Sequence, residues 1–263
     1  MGFFDTIPHR GLMKAVARRI SDGSVLRLIK SWLRAPVVEE DKDGTKRVTP
    51  NRRGTPQGGV ISPLLSNLYL NPLDHGVNEK TSGQARMVRY ADDFVIVCRA
   101  GQSRKLLERL KTWLDAKGLT LNEAKTRLVN IQQQGINFLG FNLTWRQSRQ
   151  RRGYLHVEPS QKSRRALREN LGDILNHWTL WRPDKEVVAE ANRVLRGWAG
   201  YFHYRNSTSV MGKMRRYSQN RLRRWLWRKH ACRRALWTHY TDARLRKHYG
   251  LYELPITAAW KAP

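Results

Sequence analysis

Residues 87–98 read M-V-R-Y-A-D-D-F-V-I-V-C, and this stretch constrains the fold more than any other. Strand-forming apolar residues lie on both sides of two adjacent carboxylates, so the pattern predicts two β-strands around a tight turn over 86–99. Like charges side by side at the tip of a core hairpin repel one another. Either water solvates them, or a strongly positive group fills the gap between them. Hard carboxylate oxygens converging beyond strand ends suit Mg²⁺, and a pair of such ions can drive phosphoryl transfer.

The surrounding chain is basic. Lys and Arg number 50 against 21 Asp and Glu, a formal net charge of +29. A field of that sign attracts polyanions, either nucleic acid or an anionic membrane surface. No apolar run is long enough to cross a bilayer, and the N-terminus has no basic-then-apolar signal pattern. Cys98 and Cys232 have neither C-x-x-C nor zinc spacing, so they read as free buried thiols in a reducing compartment.

Segment 9–34 has helical spacing, broken by Ser21-Asp22-Gly23-Ser24 into two helices. Asp43-Gly44 predicts a hairpin turn between short strands. T-P-Q-G-G at 55–59 predicts a loop whose backbone approaches something closely, followed by a buried helix. Ser103 is placed to cap a helix through Trp113, and short strands are expected at 127–131 and 136–145. From Trp145 onward about 27 basic residues face about 8 acidic ones, and the spacing is helical. Helices are expected from Pro183 to about Tyr204 and over about 208–230. The fold class expected is α+β, with an antiparallel sheet followed by an all-α basic domain, divided at 145/146.

Four blocks stand in order: R-G-T-P-Q-G-G-V-I-S-P-L-L-S-N at 53–67, Y-A-D-D at 90–93, N-E-A-K-T at 122–126 and N-F-L-G-F at 137–141. Together they resemble the reverse transcriptases encoded by group II introns, which also act as maturases. The resemblance implies an incomplete reverse transcriptase palm over 1–145 and a thumb/maturase domain over 146–263. It implies Mg²⁺ ligation by Asp92 and Asp93, with Asp92 the principal ligand. Gln57 would touch the sugar or base of an incoming dNTP, while Gly58 and Gly59 leave room for nucleotide and template. Lys125 would sit near the leaving pyrophosphate. Phe4, in Gly2-Phe3-Phe4-Asp5, would exclude a ribose 2′-hydroxyl, and 137–141 would grip the primer.

In the basic segment, aromatics alternate with cations at helical spacing. One face is expected to pack through Trp198, Tyr201, Leu222 and Trp225. The other would present Arg215, Arg216, Arg221, Arg223, Arg224 and Arg228 to intron RNA. The implied partners are group II intron RNA, an RNA template with a DNA primer, and dNTP, with no membrane. The implied setting is a bacterial-type cytoplasm or an organellar matrix.

The family's first metal-binding Asp would fall about two positions before Met1, with the fingers before it. The resemblance therefore implies an incomplete two-metal site and allows for a missing N-terminal fingers polypeptide as a partner, and the isolated chain is expected to polymerise DNA feebly or not at all. The alternatives are an RNA-binding maturase or chaperone without polymerase activity, and an inactive retroelement remnant. No Cys/His cluster near the C-terminus implies an endonuclease.

Overall fold

The computed structural model describes residues 6–257 except positions 42, 56–58, 80 and 82. The chain forms two compact units, residues 1–128 and 129–263.

The first unit opens with α1 (His9–Ala17) and α2 (Gly23–Arg34). Asp22 ends the break between them: its carboxylate accepts the backbone N–H groups of Ser24 and Val25, which begin α2 with no helical partner of their own. The strands β1 (Val37–Glu40) and β2 (Lys46–Thr49) pair antiparallel around the Asp43-Gly44 turn, as the sequence predicts. Gly44 holds φ 83°, and the Asp43 carboxylate accepts from the Thr45 N–H, a bond that lowers its pKa.

The helix α3 (Ser62–Asn78) follows the glycine loop and buries Leu65, Tyr69, Leu70, Leu73 and Val77. Beside it lie β3 (Ala85–Tyr90) and β4 (Asp93–Cys98), an antiparallel pair in register from Ala85↔Cys98 to Tyr90↔Asp93. Alternation divides the hairpin: Ala85 and Met87 face the core, while Val88, Tyr90 and Val97 are exposed. The helix α4 (Ser103–Ala116) completes the unit. Its cap residue is Gln102, with no side-chain bond, and Ser103 is instead its first helical residue. The strand expected over 127–131 is absent: that segment pairs with no other strand among the described residues.

The second unit begins with a three-stranded antiparallel sheet, β5 (Ile136–Phe138), β6 (Phe141–Gln147) and β7 (Gly153–Pro159). The strand β7 lies inside the region expected to be all helical. Seven register pairs with β6, from Phe141↔Pro159 to Gln147↔Gly153, hold it extended. The α-helices among its described residues are α5 (Gln161–Ile174), α6 (Asp184–Phe202), α7 (Thr208–Lys229), α8 (Leu236–His239) and α9 (Asp242–Lys247). Ser160 caps α5 and Thr241 caps α9 through their hydroxyls. Leu171, Leu195, Met211, Met214, Leu222 and Leu226 form the centre of the core.

Where sheet meets helices, Glu158 accepts hydrogen bonds from Arg164 at 2.7 Å and pairs with His156 at 3.2 Å. Burial by itself would raise its pKa, but the bonds from Arg164 and His156 outweigh burial and hold the carboxyl below its ordinary value of 4.5. A lowered folded value means that this stabilisation is complete above pH 4.5 and disappears as pH falls through the folded value. Thermal melts between about pH 6 and pH 3 should therefore show the wild type losing more stability on acidification than Glu158→Gln.

Candidate nucleotidyl-transfer site

The hairpin tip is Tyr90-Ala91-Asp92-Asp93. Ala91 sits in the left-handed region at φ 52°, a conformation a β-branched residue would resist, and Tyr90↔Asp93 is the last register pair below the turn. Both carboxylates are exposed. Among the described residues neither makes an ion pair or a side-chain hydrogen bond.

Nearby Asp74 is engaged. Arg89 donates from Nε to Asp74 Oδ1 at 2.9 Å and from Nη2 to Oδ2 at 2.5 Å. The same guanidinium donates from Nη1 to Asn67 Oδ1 and to the Ala91 carbonyl, each at 2.8 Å. Arg89 thus fastens the backbone of the turn to α3. The sequence reading missed it. Its only signal was a cation immediately before the tyrosine, without its partners 15 and 22 residues upstream.

The other expected site residues lie as follows. Gly59 is half-buried, and its carbonyl accepts from Ser62 N at the start of α3. It borders an apolar cleft of about 580 Å³ lined by Trp32, Leu33, Val60, Ile61, Leu64 and Leu65. Neither acid of the tip lines that cleft, and Lys125 does not. Lys125 is exposed in a turn, its N–H bonded to Asn122. Phe4, Gln57 and Gly58 fall outside the described residues. Among the described residues no group of three or more His, Cys, Asp or Glu side chains comes together as a metal site. Asp92 and Asp93 nevertheless fit Mg²⁺ in their chemistry, as adjacent hard oxygens without a competing cation partner.

The N-F-L-G-F block forms the β5–β6 hairpin. Leu139 (φ 48°) and Gly140 (φ 78°) make its turn. A Cβ at Gly140 would come within 3.1 Å of both Phe202 and Ser163, and the Gly140 carbonyl accepts from Ser163 Oγ at 2.7 Å and Ser160 N at 2.8 Å. Tyr201 does not pack inside as expected. It is 55% exposed, stacked on Phe141 at 5.6 Å and bonded to the Leu139 carbonyl. Leu222 and Trp225 are buried and Trp198 is partly buried.

The six arginines of α7 divide into two sets. Arg216, Arg224 and Arg228 are exposed, with no side-chain ion pair or hydrogen bond among the described residues. Arg215 pairs with Glu253, and Arg221 donates to the Gly172 carbonyl at 3.1 Å. Arg223 is 3% exposed and does not reach the surface expected of it. It donates to the Tyr240 carbonyl and Asn220 Oδ1, both at 2.6 Å, and pairs with Asp242. The reason is tertiary: the 235–254 segment folds over a side of α7 that helical spacing alone leaves open. Cys98 and Cys232 are both free, and half-buried rather than fully buried.

Comparison with known proteins gives the family. Residues 1–143, more than half of the chain, match the reverse transcriptase (RNA-dependent DNA polymerase) family, and the chain belongs to it. Residues 164–248 match the group II intron maturase-specific domain, which puts the chain in the group II intron-encoded branch. It is 34% identical over 180 residues to protein YkfC of Escherichia coli, covering 56% of this chain and 46% of that one. It is 26% identical over 210 residues to the group II intron-encoded protein LtrA of Lactococcus lactis, covering 56% and 34%. The chain therefore spans less than half the length of either relative. In fold it is similar to apo telomerase from Candida tropicalis, with a TM-score of 0.51 at 12% identity over 87% of this chain and 44% of that one. No helix among the described residues is long and apolar enough to cross a membrane.

Proposed function

We propose that the first unit carries part of a reverse transcriptase catalytic centre and that the second binds group II intron RNA as a maturase. The observation that carries the first half is a pair of unpartnered carboxylates on a rigidly fastened turn in a strongly basic chain. Asp92 and Asp93 would hold Mg²⁺, which supplies activation of a primer 3′-hydroxyl and stabilisation of leaving pyrophosphate. Lys125 would offset charge on that pyrophosphate, and Gly59 would give room beneath the incoming dNTP. Phe4, Gln57 and Gly58 keep the roles that the family resemblance implies. Template RNA and primer DNA would lie along the palm, with 137–141 against the primer. Two free thiols fit a reducing compartment, a bacterial-type cytoplasm or an organellar matrix.

Mn²⁺ titration followed by electron paramagnetic resonance tests the metal site. Asp92→Asn and Asp93→Asn should each weaken binding by roughly 10- to 30-fold, the effect of removing one unit charge about 4 Å from a divalent ion in water. Melting temperature should not fall, because each change also relieves repulsion between neighbouring acids. Equal Mn²⁺ affinity in wild type and both variants would remove the acids from the site.

A second reading, RNA binding without polymerisation, is favoured by the free arginines of α7, which need no metal. Primer extension on an RNA template separates the two. Extension that depends on Mg²⁺ and on Asp92 supports the polymerase, and intron-RNA binding with no extension supports the maturase alone.

A further inference from the structure

Between α5 and α6 the chain makes a single tight turn, His177–Thr179, before Pro183. That turn is braced from within. Thr179 Oγ1 donates to the Ile174 carbonyl at 2.8 Å and accepts from Trp225 Nε1 at 3.0 Å. Asn176 Oδ1 accepts from the Thr179 N–H at 3.2 Å. Lys229 Nζ donates to the carbonyls of Leu180 and Arg182 at 2.7 and 2.6 Å. The last turns of α7 therefore fix the backbone from Thr179 to Arg182.

The indoles on this braced segment point outward. Trp178 is 74% exposed and Trp181 is 82% exposed, whereas Trp225, bonded to the same turn, is 2% exposed. His177 stacks on Trp178 with ring centroids 4.3 Å apart. An indole left in water forgoes the stabilisation that burying a large apolar side chain gives, so packing does not account for two bare indoles on a rigid support.

We propose that Trp178 and Trp181 are a stacking platform for unpaired RNA bases, a contact separate from the arginines of α7. The basic charge of the domain selects a polyanion, and the maturase-specific match over residues 164–248, which contain both indoles, selects RNA over an anionic lipid surface. From Trp145 onward basic residues outnumber acidic ones by about 27 to 8. The helix that braces the turn carries the unpartnered Arg224 and Arg228, four residues apart on one exposed face. Aromatic faces on a basic domain suit the alternation of base and backbone in a single strand. The residues between the two indoles, Thr179 and Leu180, are half-buried, so the rings do not belong to a wider aliphatic patch.

The inference rests on the RNA-binding reading of the second unit but has its own signature. Stacking releases no counterions, so losing it lowers affinity at every salt concentration without changing the salt slope; losing an arginine flattens the slope. The experiment compares the full chain with Trp178→Ala, Trp181→Ala and the corresponding Phe variants. Each is titrated across a salt series with a stem–loop RNA and with a blunt RNA duplex of the same length. Each Ala variant should bind the stem–loop about tenfold more weakly with an unchanged slope, bind the duplex as wild type does, and be largely rescued by Phe. Ala variants that match a binding-competent wild type on the stem–loop overturn this inference and leave the arginine reading standing. Equal losses on stem–loop and duplex, or indole-dependent binding to anionic vesicles in place of RNA, also overturn it. A wild type that binds neither RNA overturns both.

Discussion

Arg223→Ala should destabilise the second unit by about 3 kcal/mol, whereas Arg224→Ala, one residue along, should stay within about 0.5 kcal/mol of wild type. The difference follows from where the two guanidinium groups end. Arg223 lies over the Trp237 ring, 4.4 Å from its centroid, and its removal leaves the carbonyl of Tyr240, a fully buried residue, without its donor. A buried acceptor stripped of a charged donor loses more than the bond was worth in water. Asp242 adds less, because its side chain is 63% exposed and water replaces the guanidinium. For a unit of this size the loss corresponds to a melting temperature roughly 10 °C lower. RNA binding should show the opposite pattern. Arg224→Ala should reduce the salt slope by about one, and Arg223→Ala should leave it unchanged at temperatures where the unit stays folded. Calorimetry and a salt titration on both variants check this. An Arg223→Ala protein that melts normally but loses RNA affinity would mean that the side chain faces solvent.

Arg89→Ala is expected to have the second large effect, about 2–3 kcal/mol of stability together with weaker Mn²⁺ binding at Asp92 and Asp93. Asp74 would keep a partly buried charge with no counter-ion, and the Ala91 carbonyl would lose its tether. Two controls separate these effects. The pair Arg89→Met with Asp74→Leu removes both charges and should recover most of the stability, but not the metal affinity. Arg89→Lys keeps the charge without the planar fork, so it should melt near wild type while binding Mn²⁺ more weakly. Full metal affinity in Arg89→Met/Asp74→Leu would show that the turn holds its shape without the tether.

Local chemistry made much of the first unit legible. Asp43-Gly44, Asp22 before α2 and the alternation around Asp92-Asp93 each act over a few residues, and each element formed where its signal stood. Long-range partnership was not legible. Arg216 and Arg223 are seven residues apart and share nearly one side of α7, yet one is exposed and the other buried. The difference comes from a segment that helical spacing cannot see. The strand β7 was hidden for a similar reason: Arg151 and Arg152 obscure its short alternation, and its extended shape comes from pairing with β6. The indoles at 178 and 181 gave no signal as a pair, because their exposure depends on Trp225 and Lys229 bracing the turn from elsewhere.

Pro72 lies inside α3 and cannot donate to the carbonyl one turn behind it, which makes it the natural place for that rod to flex. Asn67 and Asp74 stand on opposite sides of this proline, two turns apart, and a single guanidinium clasps both. Arg89 therefore splints the helix across its weakest joint. The rod starts three residues past Gly59, and Arg89 grips it about 8 and 18 Å further along, so a push at the glycine loop reaches the paired acids through a splinted lever.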